Sequence, residues 1–489
     1  MRFAPQAWLL SALLAATVHG QTATNSFRPL ALRDCIQTAL QHNRDIQIER
    51  FSPVISRLTL DGSYSYYDPT FSVGSAGAPI GHSSDSGVET YPASAGFSGT
   101  LPTGLRYGLS GDYVNRFGPN KETFDTSIGL SITQPLLKDS WIDQGRLNIQ
   151  VNRQNLKLTD YGVDFVVMNT ISQVEQAYYE LIFARENVRV EEKLLEVRQR
   201  FFAETKRKVE VGASAQLDLQ LAQSQVATVQ AALIHARNQV QLDENALKTL
   251  MGDDFVSSVD LVLLPTDALL VMPENPVLAE SWQRGLAQRP DLAQLRVSLD
   301  IASLNLKYSY NQLFPTFDLV AGYGLRGSTA LTTNSLASAS STLGQIRRGE
   351  NPNDLIGVLF SVPLTRTGER ANYKISKESK ARAMVQVKKL EELVLRQIDD
   401  AAKNVKTSLE SVTATREATL YAQAALDAEE KKLAAGKSTP FVVLSLQGDL
   451  AAAQTAENRA KVNYNQALSQ LYFAEGSTLN RNKVTVEIK

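Results

Sequence analysis

The sequence predicts a membrane α+β fold. A duplicated module supplies strands that form part of an outer-membrane type of β-barrel, continued by a long α-helical, coiled-coil barrel. Three observations carry this reading. The chain repeats itself: Asp45, Leu58, Leu60, Ser63, Tyr64, Pro69, Thr70 and Phe71 recur as Asp291, Leu304, Leu306, Ser309, Tyr310, Pro315, Thr316 and Phe317, at an offset of 246. Arg146, Asn148, Gly212, Ser214, Gln223, Leu247 and Gly252 recur as Arg370, Asn372, Gly436, Ser438, Gln447, Leu471 and Gly476, at an offset of 224. A repeat of this length fixes how many units the fold contains. Each repeat also holds a proline-free run of 66 residues, 146–211 and 370–435. Between the helical stretches the apolar period drops from 3.6 to 2.

Taken in order, residues 1–20 read as a signal peptide. Arg2 opens it, Trp8 to Val18 form an apolar run, and Val18-His19-Gly20 offers a small-residue cleavage site. The run is too short to span a membrane as a helix; the competing reading is an uncleaved anchor. The first repeat occupies 21–252. Its opening helix, 30–67, has a break at Asn43-Arg44-Asp45, and Pro53 predicts a kink, because proline in mid-helix is costly. Its strands lie within 69–136. They are Phe71-Ser72-Val73, 94–101, 104–114, and the run of Ile128, Leu130 and Ile132 that ends at Pro135. Leu101-Pro102-Thr103-Gly104 is a tight-turn signal between the middle two.

The helix 146–211 would be roughly 100 Å long at 1.5 Å per residue. It stops at Gly212, as a left-handed C-cap requires, and Ser214 can cap the returning helix, 214–251. A linker covers 253–275. The second repeat, 276–476, opens with helix 276–313, broken at Arg289-Pro290-Asp291. Its strands lie within 316–364. Phe317, Leu319, Ala321, Tyr323 and Leu325 alternate with smaller or polar residues, and Ile356, Val358, Phe360 and Val362 do the same before Pro363. The stretch 327–353 between them reads as a Ser/Thr/Gly loop. Helix 370–435 stops at Gly436; helix 440–475 starts from a Thr439-Pro440 cap and N1 pair; 477–489 is a tail. Phe71 to Ile128 exceeds Phe317 to Ile356 by 18 residues, about one hairpin. Up to six strands follow, four in the first repeat and two in the second.

Each reading has a plainer rival. The returning helices are rich in alanine, as at Ala222, Ala227, Ala231 and Ala451, Ala452, Ala453. Small residues allow close coiled-coil packing, but alanine is also the best helix former. Alternation suits a membrane barrel and equally a half-buried soluble sheet. Tyr64, Tyr67 and Phe71, with Tyr308, Tyr310 and Phe317, sit where helix becomes strand. They fit a membrane–water interface or a simple junction core. Six strands cannot close alone, and open edges are forbidden in lipid, so copies must pool strands. A barrel continued by such helices is a conduit through an outer membrane and the periplasm behind it.

The chain resembles the TolC-like outer-membrane efflux family. The resemblance covers about 30–476. It is carried by the duplicated layout, by the approach to each first strand (Tyr67-Asp68-Pro69-Thr70-Phe71 and Leu313-Phe314-Pro315-Thr316-Phe317), by Gln134-Pro135-Leu136, and by Val211-Gly212-Ala213 followed by Asp218. It implies a homotrimer in the cell outer membrane with a large periplasmic portion, and an equatorial region built from the linker near 253–275 and the C-terminus. It implies the exit duct of a tripartite efflux or type I secretion system, working with an inner-membrane pump and a periplasmic adaptor. Pro69, Pro135, Pro315 and Pro363 would then mark the helix–strand junctions. Val211, Gly212 and Ala213 match the family's adaptor-contact tip; Ala435, Gly436 and Lys437 match it only at the glycine. Both glycines are also plain C-caps. Asp218 stands at a gating acid of the family. Val442 and Ser445 stand where the best-known member carries two entrance acids, so Phe441 and Val442 are expected to form a more apolar constriction.

Nothing in the sequence points to chemistry. The four histidines, His19, His42, His82 and His235, make no metal-ligand pattern, and no phosphate loop or nucleophile motif occurs. No enzyme activity, cofactor or metal is expected. A formal net charge of −1 gives no electrostatic case for nucleic acid. Cys35 is the only cysteine, so no intramolecular disulfide can form. Carboxylates on the long helices, Glu429 and Glu430 among them, read as solvated faces. The competing function is a periplasmic coiled-coil adaptor or scaffold of an export complex, which needs helical hairpins but no alternating strands.

Overall fold

A computed structural model describes residues 27–74, 83–85, 88–117, 123–330 and 335–484. The expected signal peptide, His82 and the last five residues of the tail lie outside them. The elements run, in chain order, as β1 (Phe27–Leu30), α1 (Leu32–His42), α2 (Arg44–Glu49), α3 (Phe51–Ser63) and a 3-10 turn (Tyr64–Tyr67). Strands β2 (Thr70–Gly74), β3 (Ser83–Asp85), β4 (Val88–Thr100), β5 (Arg106–Phe117) and β6 (Thr123–Pro135) follow. Then come α4 (Gln144–Glu210), α5 (Gln216–Met251), α6 (Phe255–Ser258), β7 (Val262–Pro265), α7 (Leu278–Gln288) and α8 (Pro290–Asn311). The chain ends with β8 (Thr316–Ala330), α9 (Ser335–Arg347), β9 (Pro352–Ser361), α10 (Thr367–Ala434), α11 (Pro440–Glu475) and α12 (Thr478–Arg481). Among the described residues, no helix is long and apolar enough to cross a membrane. The chain divides into two units, one of residues up to 43, 173–272 and 409–466, the other of 44–172, 273–408 and 467 onward.

The second of these units holds the sheet. Its strands run in the order β2-β4-β5-β6-β8-β9, every neighbour antiparallel, with the short β3 extending the line of β2 along β4. One row across it reads Phe71, Phe97, Leu109, Leu130, Tyr323; a row on the opposite face reads Ser94, Asp112, Ser127, Arg326. The period of 2 therefore sorts apolar from polar residues coherently over the sheet. Pro69 precedes β2 directly, Pro315 precedes β8, Pro135 closes β6, and Pro363 lies two residues beyond β9. Each sits where a ladder N–H would go unused. Beside these prolines the strand-to-helix turn is fixed by polar contacts. The Asp139 amide, in a left-handed residue with φ of 62°, donates to the Oδ1 of fully buried Asn311 at 2.8 Å. Arg146 donates to the Asp139 carbonyl at 2.7 Å.

The other unit has a core of Cys35, Ile36, Ala39, Leu247, Met251 and Leu263. Over it β1 pairs in parallel with β7, Phe27 opposite Val262. The Tyr178 hydroxyl, from fully buried Tyr178, donates to Asp267 Oδ2 at 2.8 Å, and the same oxygen accepts from the Leu32 amide at the start of α1.

Several sequence expectations need correction. The strand β1 falls where the start of a helix at 30 was expected, and its partner β7 lies within the linker over 253–275. The opening helix 30–67 breaks at Asn43, as expected, but the kink expected at Pro53 is a second break, at Arg50, and the helix finishes as a 3-10 turn. The second interruption follows from Pro53: without an N–H it cannot bond the Glu49 carbonyl, and its ring crowds that oxygen, so the chain yields one turn earlier. The loop expected over 327–353 contains α9. It packs on the sheet through a Thr126–Thr342 hydroxyl pair at 3.0 Å, and Gly327 has no room for a Cβ against the Thr342 backbone. Glu429 is no simple solvated side chain, as the tip geometry makes plain.

Candidate functional site

Two helical hairpins turn at Val211–Ala213 and at Ala435–Lys437. Both tips are the same device. Gly212 has φ of 74° and Gly436 has φ of 69°. The Ala213 amide reaches back to the Lys208 carbonyl at 2.7 Å, and the Lys437 amide to Lys432 at 2.9 Å. These 6→1 bonds, with left-handed glycine, are Schellman caps. A Cβ built on either glycine would meet nothing within 4 Å, so the tips stand in open space. Val211 is 78 % exposed, and Ala213, Ala435 and Lys437 are also exposed.

The hairpins restart differently. In the first, Ser214 is not itself the cap. It donates to Asp218 Oδ2 at 2.7 Å, and the same oxygen accepts from the Ala215 amide at 3.1 Å. The Ser214 hydroxyl, and then the Ala215 amide, hold the Asp218 carboxyl below its usual range. In the second, Val442 replaces the acid, and its amide bonds the Thr439 carbonyl at 3.1 Å beside Pro440. The anchoring carboxylate comes instead from the preceding helix. Glu429 accepts from Ser438 Oγ at 2.5 Å and from Lys432 Nζ at 2.8 Å.

Behind the tips lies a cavity of about 420 Å³, walled by α4, α5 and the start of α11. It brings Asp218, Phe441 and Ser445 together with Lys208 and Arg198. Val442 is not on its wall; it is 40 % exposed, and Phe441 is 70 % exposed. Arg198 was not anticipated from the sequence. It is buried, its Nη2 donates to the Leu444 carbonyl at 2.9 Å, and Nε and Nη1 have no protein partner. Burial pushes its pKa down. A Cβ on Gly448 would lie 3.3 Å from Nη2, so the glycine makes room for the guanidinium. That lone glycine inside a helical run was the only trace of the contact in the sequence. A larger cavity, about 1240 Å³, lies in the same unit between α4, α5 and the 255–269 segment. It is lined by the Arg185–Glu244 ion pair, 2.5 Å apart, and by buried Lys248.

The junction aromatics form edge-on clusters in the sheet-bearing unit. Tyr310 meets Phe314 at 5.5 Å, and Phe317 meets Phe360 at 6.4 Å. Tyr64, Phe71 and Tyr310 are exposed while Tyr67, Tyr308 and Phe317 are half-buried. Among the described residues, no group of three or more His, Cys, Asp or Glu could hold a metal ion.

Comparison with known proteins adds a family. The sequence model named "Outer membrane efflux protein" matches residues 82–253 and 282–477. The chain is 25% identical to the outer membrane protein TolC of Escherichia coli over 387 residues, 78% of this chain and 74% of that one. It is 28% identical to the outer membrane efflux protein BepC of Brucella suis over 292 residues, 59% of each. In fold it is similar to the outer membrane protein VceC of Vibrio cholerae, with a TM-score of 0.66 at 16% identity, covering 91% of this chain and 96% of that one.

Proposed function

This chain belongs to the outer membrane efflux protein family, and we propose that it is the exit duct of a tripartite efflux or type I secretion system. In this reading a homotrimer in the outer membrane receives substrates from an inner-membrane pump through a periplasmic adaptor. One observation carries the reading. The six-strand path sorts its faces like a barrel wall, yet among the described residues it ends in two unpaired edges, β2 and β9. Such a sheet is complete only when copies join edge to edge. A periplasmic adaptor or scaffold has no use for it.

The tips Val211-Gly212-Ala213 and Ala435-Gly436-Lys437 are the proposed adaptor contacts, because both are bare and stand in open space. Asp218, Phe441, Val442 and Ser445 are the proposed periplasmic entrance. With one acid per chain against two apolar side chains, that entrance is read as an apolar constriction, not a charged ring. The four prolines and the junction aromatics are read as the border where the barrel leaves the lipid. Fractionation with heat-modifiable migration tests the duct: a chain found soluble in the periplasm and indifferent to heating sinks it. Planar-bilayer recording tests the entrance: strong block by divalent cations from the tip side would exclude an apolar constriction.

A further inference from the structure

The two repeats do not contribute equally to the sheet. In the second, β8 pairs directly with β9. In the first, the corresponding strands β2 and β6 are separated by β4 and β5, giving the order β2-β4-β5-β6. The β4–β5 hairpin is therefore an insertion into the wall. It is paired on both outer flanks: β4 meets β2 from Ser94 opposite Gly74 to Ser98 opposite Thr70 and β3 from Val88 opposite Asp85 to Thr90 opposite Ser83, and β5 meets β6 from Arg106 opposite Thr133 to Arg116 opposite Thr123. Its residues also keep the face code of their neighbours. Phe97 and Leu109 lie in the apolar row with Phe71 and Leu130, and Ser94 and Asp112 in the polar row with Ser127. A hairpin lying outside the wall would have no reason to do either.

We propose that the β4–β5 hairpin widens the outer-membrane pore, so that three copies build an eighteen-stranded barrel in which β9 of one copy pairs with β2 of the next. This rests on the homotrimeric reading above. Strands 4.8 Å apart and tilted by about 40° give a backbone diameter of about 35 Å for eighteen strands, against about 24 Å for the twelve that an uninterrupted duplication would supply. Side chains reaching about 5 Å inward leave a bore of about 25 Å. The polar face carries Arg106, Arg116 and Arg326 against Asp112, Asp125 and Asp318. Asp125 takes Arg116 at 2.5 Å and Arg326 at 3.7 Å. With charges matched in number among the described residues, this bore discriminates by size and not by sign. It accepts polymeric cargo as bulky as a helical hairpin, since one helix is about 10–12 Å across.

Electron cryo-microscopy of the full chain in nanodiscs, with native mass spectrometry, tests this directly. Three copies and eighteen strands are expected. Three copies with twelve strands would overturn the widened barrel and leave the trimer standing; another copy number would overturn the trimer and the eighteen together. In bilayers, deletion of residues 88–117 should lower the size of polyethylene glycol admitted from the barrel side, and an unchanged cut-off would count against the proposal. A milder pair of variants does not depend on that deletion folding. A fluorophore on Leu109→Cys should be quenched by brominated lipid, and one on Ser110→Cys by aqueous iodide. Buried Cys35, its pKa pushed up to about 12, stays unlabelled. Iodide quenching at both sites would put the hairpin outside the wall and overturn the inference.

Discussion

At Asp218 two roles meet in one side chain. As a hydrogen-bond acceptor it closes the start of α5 through Ser214 and Ala215; as a charge it is the acid of the proposed entrance. The hydrogen bonds favour the carboxylate, so its pKa is lower folded than unfolded. The linkage follows in sign: the cap contributes fully above the ordinary aspartate range and is lost as pH falls through the lowered folded value. Asp218→Asn keeps an acceptor and removes the charge; Asp218→Ala removes both. Hydrogen exchange in the first turn of α5 should speed up in Asp218→Ala and in acid, but change little in Asp218→Asn. Ion selectivity in bilayers should change little in either variant, because the entrance is read as an apolar constriction. Fast exchange in Asp218→Asn would mean that charge, not acceptance, holds the cap. The glycine turns were legible in the sequence, because a C-cap is local; the capping role of Asp218 was not, since the sequence offered Ser214 for it and Asp218 only as an acid implied by the family resemblance. Arg198 and Glu429 were not legible either. Arg198 meets Leu444 across 246 positions, and Glu429 reaches Ser438 only once the hairpin has turned.

Where elements join, the four helices of the two hairpins, α4, α5, α10 and α11, end in the same left-handed glycine, yet these four glycines are not under the same constraint. Gly212 and Gly436 face open space. Gly252, with φ of 77°, would bring a Cβ to 2.1 Å from the His42 carbonyl oxygen, and Gly476 would bring one to 3.0 Å from the backbone at Gln288 and Arg289. Positions 42 and 288 differ by the first repeat offset, 252 and 476 by the second, so the duplication kept one backbone-on-backbone crossing. Even the anchor persisted through a change of residue. Asn43 Nδ2 donates to the Leu250 carbonyl at 2.8 Å, and Arg289 Nη1 donates to the Ala474 carbonyl at 3.3 Å. Gly212→Ala should therefore cost only the left-handed strain, about 1 kcal/mol. Gly252→Ala adds a backbone collision, for a total of roughly 2–4 kcal/mol. Thermal unfolding followed by helical circular dichroism checks this; equal losses would mean the crossing is slack. The long helices and the six-strand path could be read from periodicity. The β1–β7 pair could not, since four-residue strands 235 positions apart carry no period of their own. The excess of 18 residues also understated the inserted hairpin, because α9 lengthens the matching segment of the second repeat.

For the whole molecule, the sheet edges are not the only surface left incomplete in the barrel-bearing unit. On α3, Phe51, Val54, Ile55 and Leu58 are 66, 40, 62 and 65 % exposed, and they fall within about 100° of the helix surface. Ile48 of α2, 66 % exposed, extends the apolar stretch. Fully burying one large apolar side chain is worth roughly 1.5–3 kcal/mol, so this partly exposed stripe of four forgoes about twice that. A second copy is the occupant to expect, because β2 and β9 in this same unit already require copies beside it. Glutamate at Phe51 or Ile55 would bring a charge into the closed interface, where desolvation outweighs any gain. Phe51→Glu and Ile55→Glu should each shift the chain from the slow-migrating oligomer to monomer on unheated gels, while Arg57→Gln, on the other side of α3, should not. Retained oligomer in both glutamate variants would mean that the stripe faces lipid or solvent. The barrel edges alone would then hold the copies together.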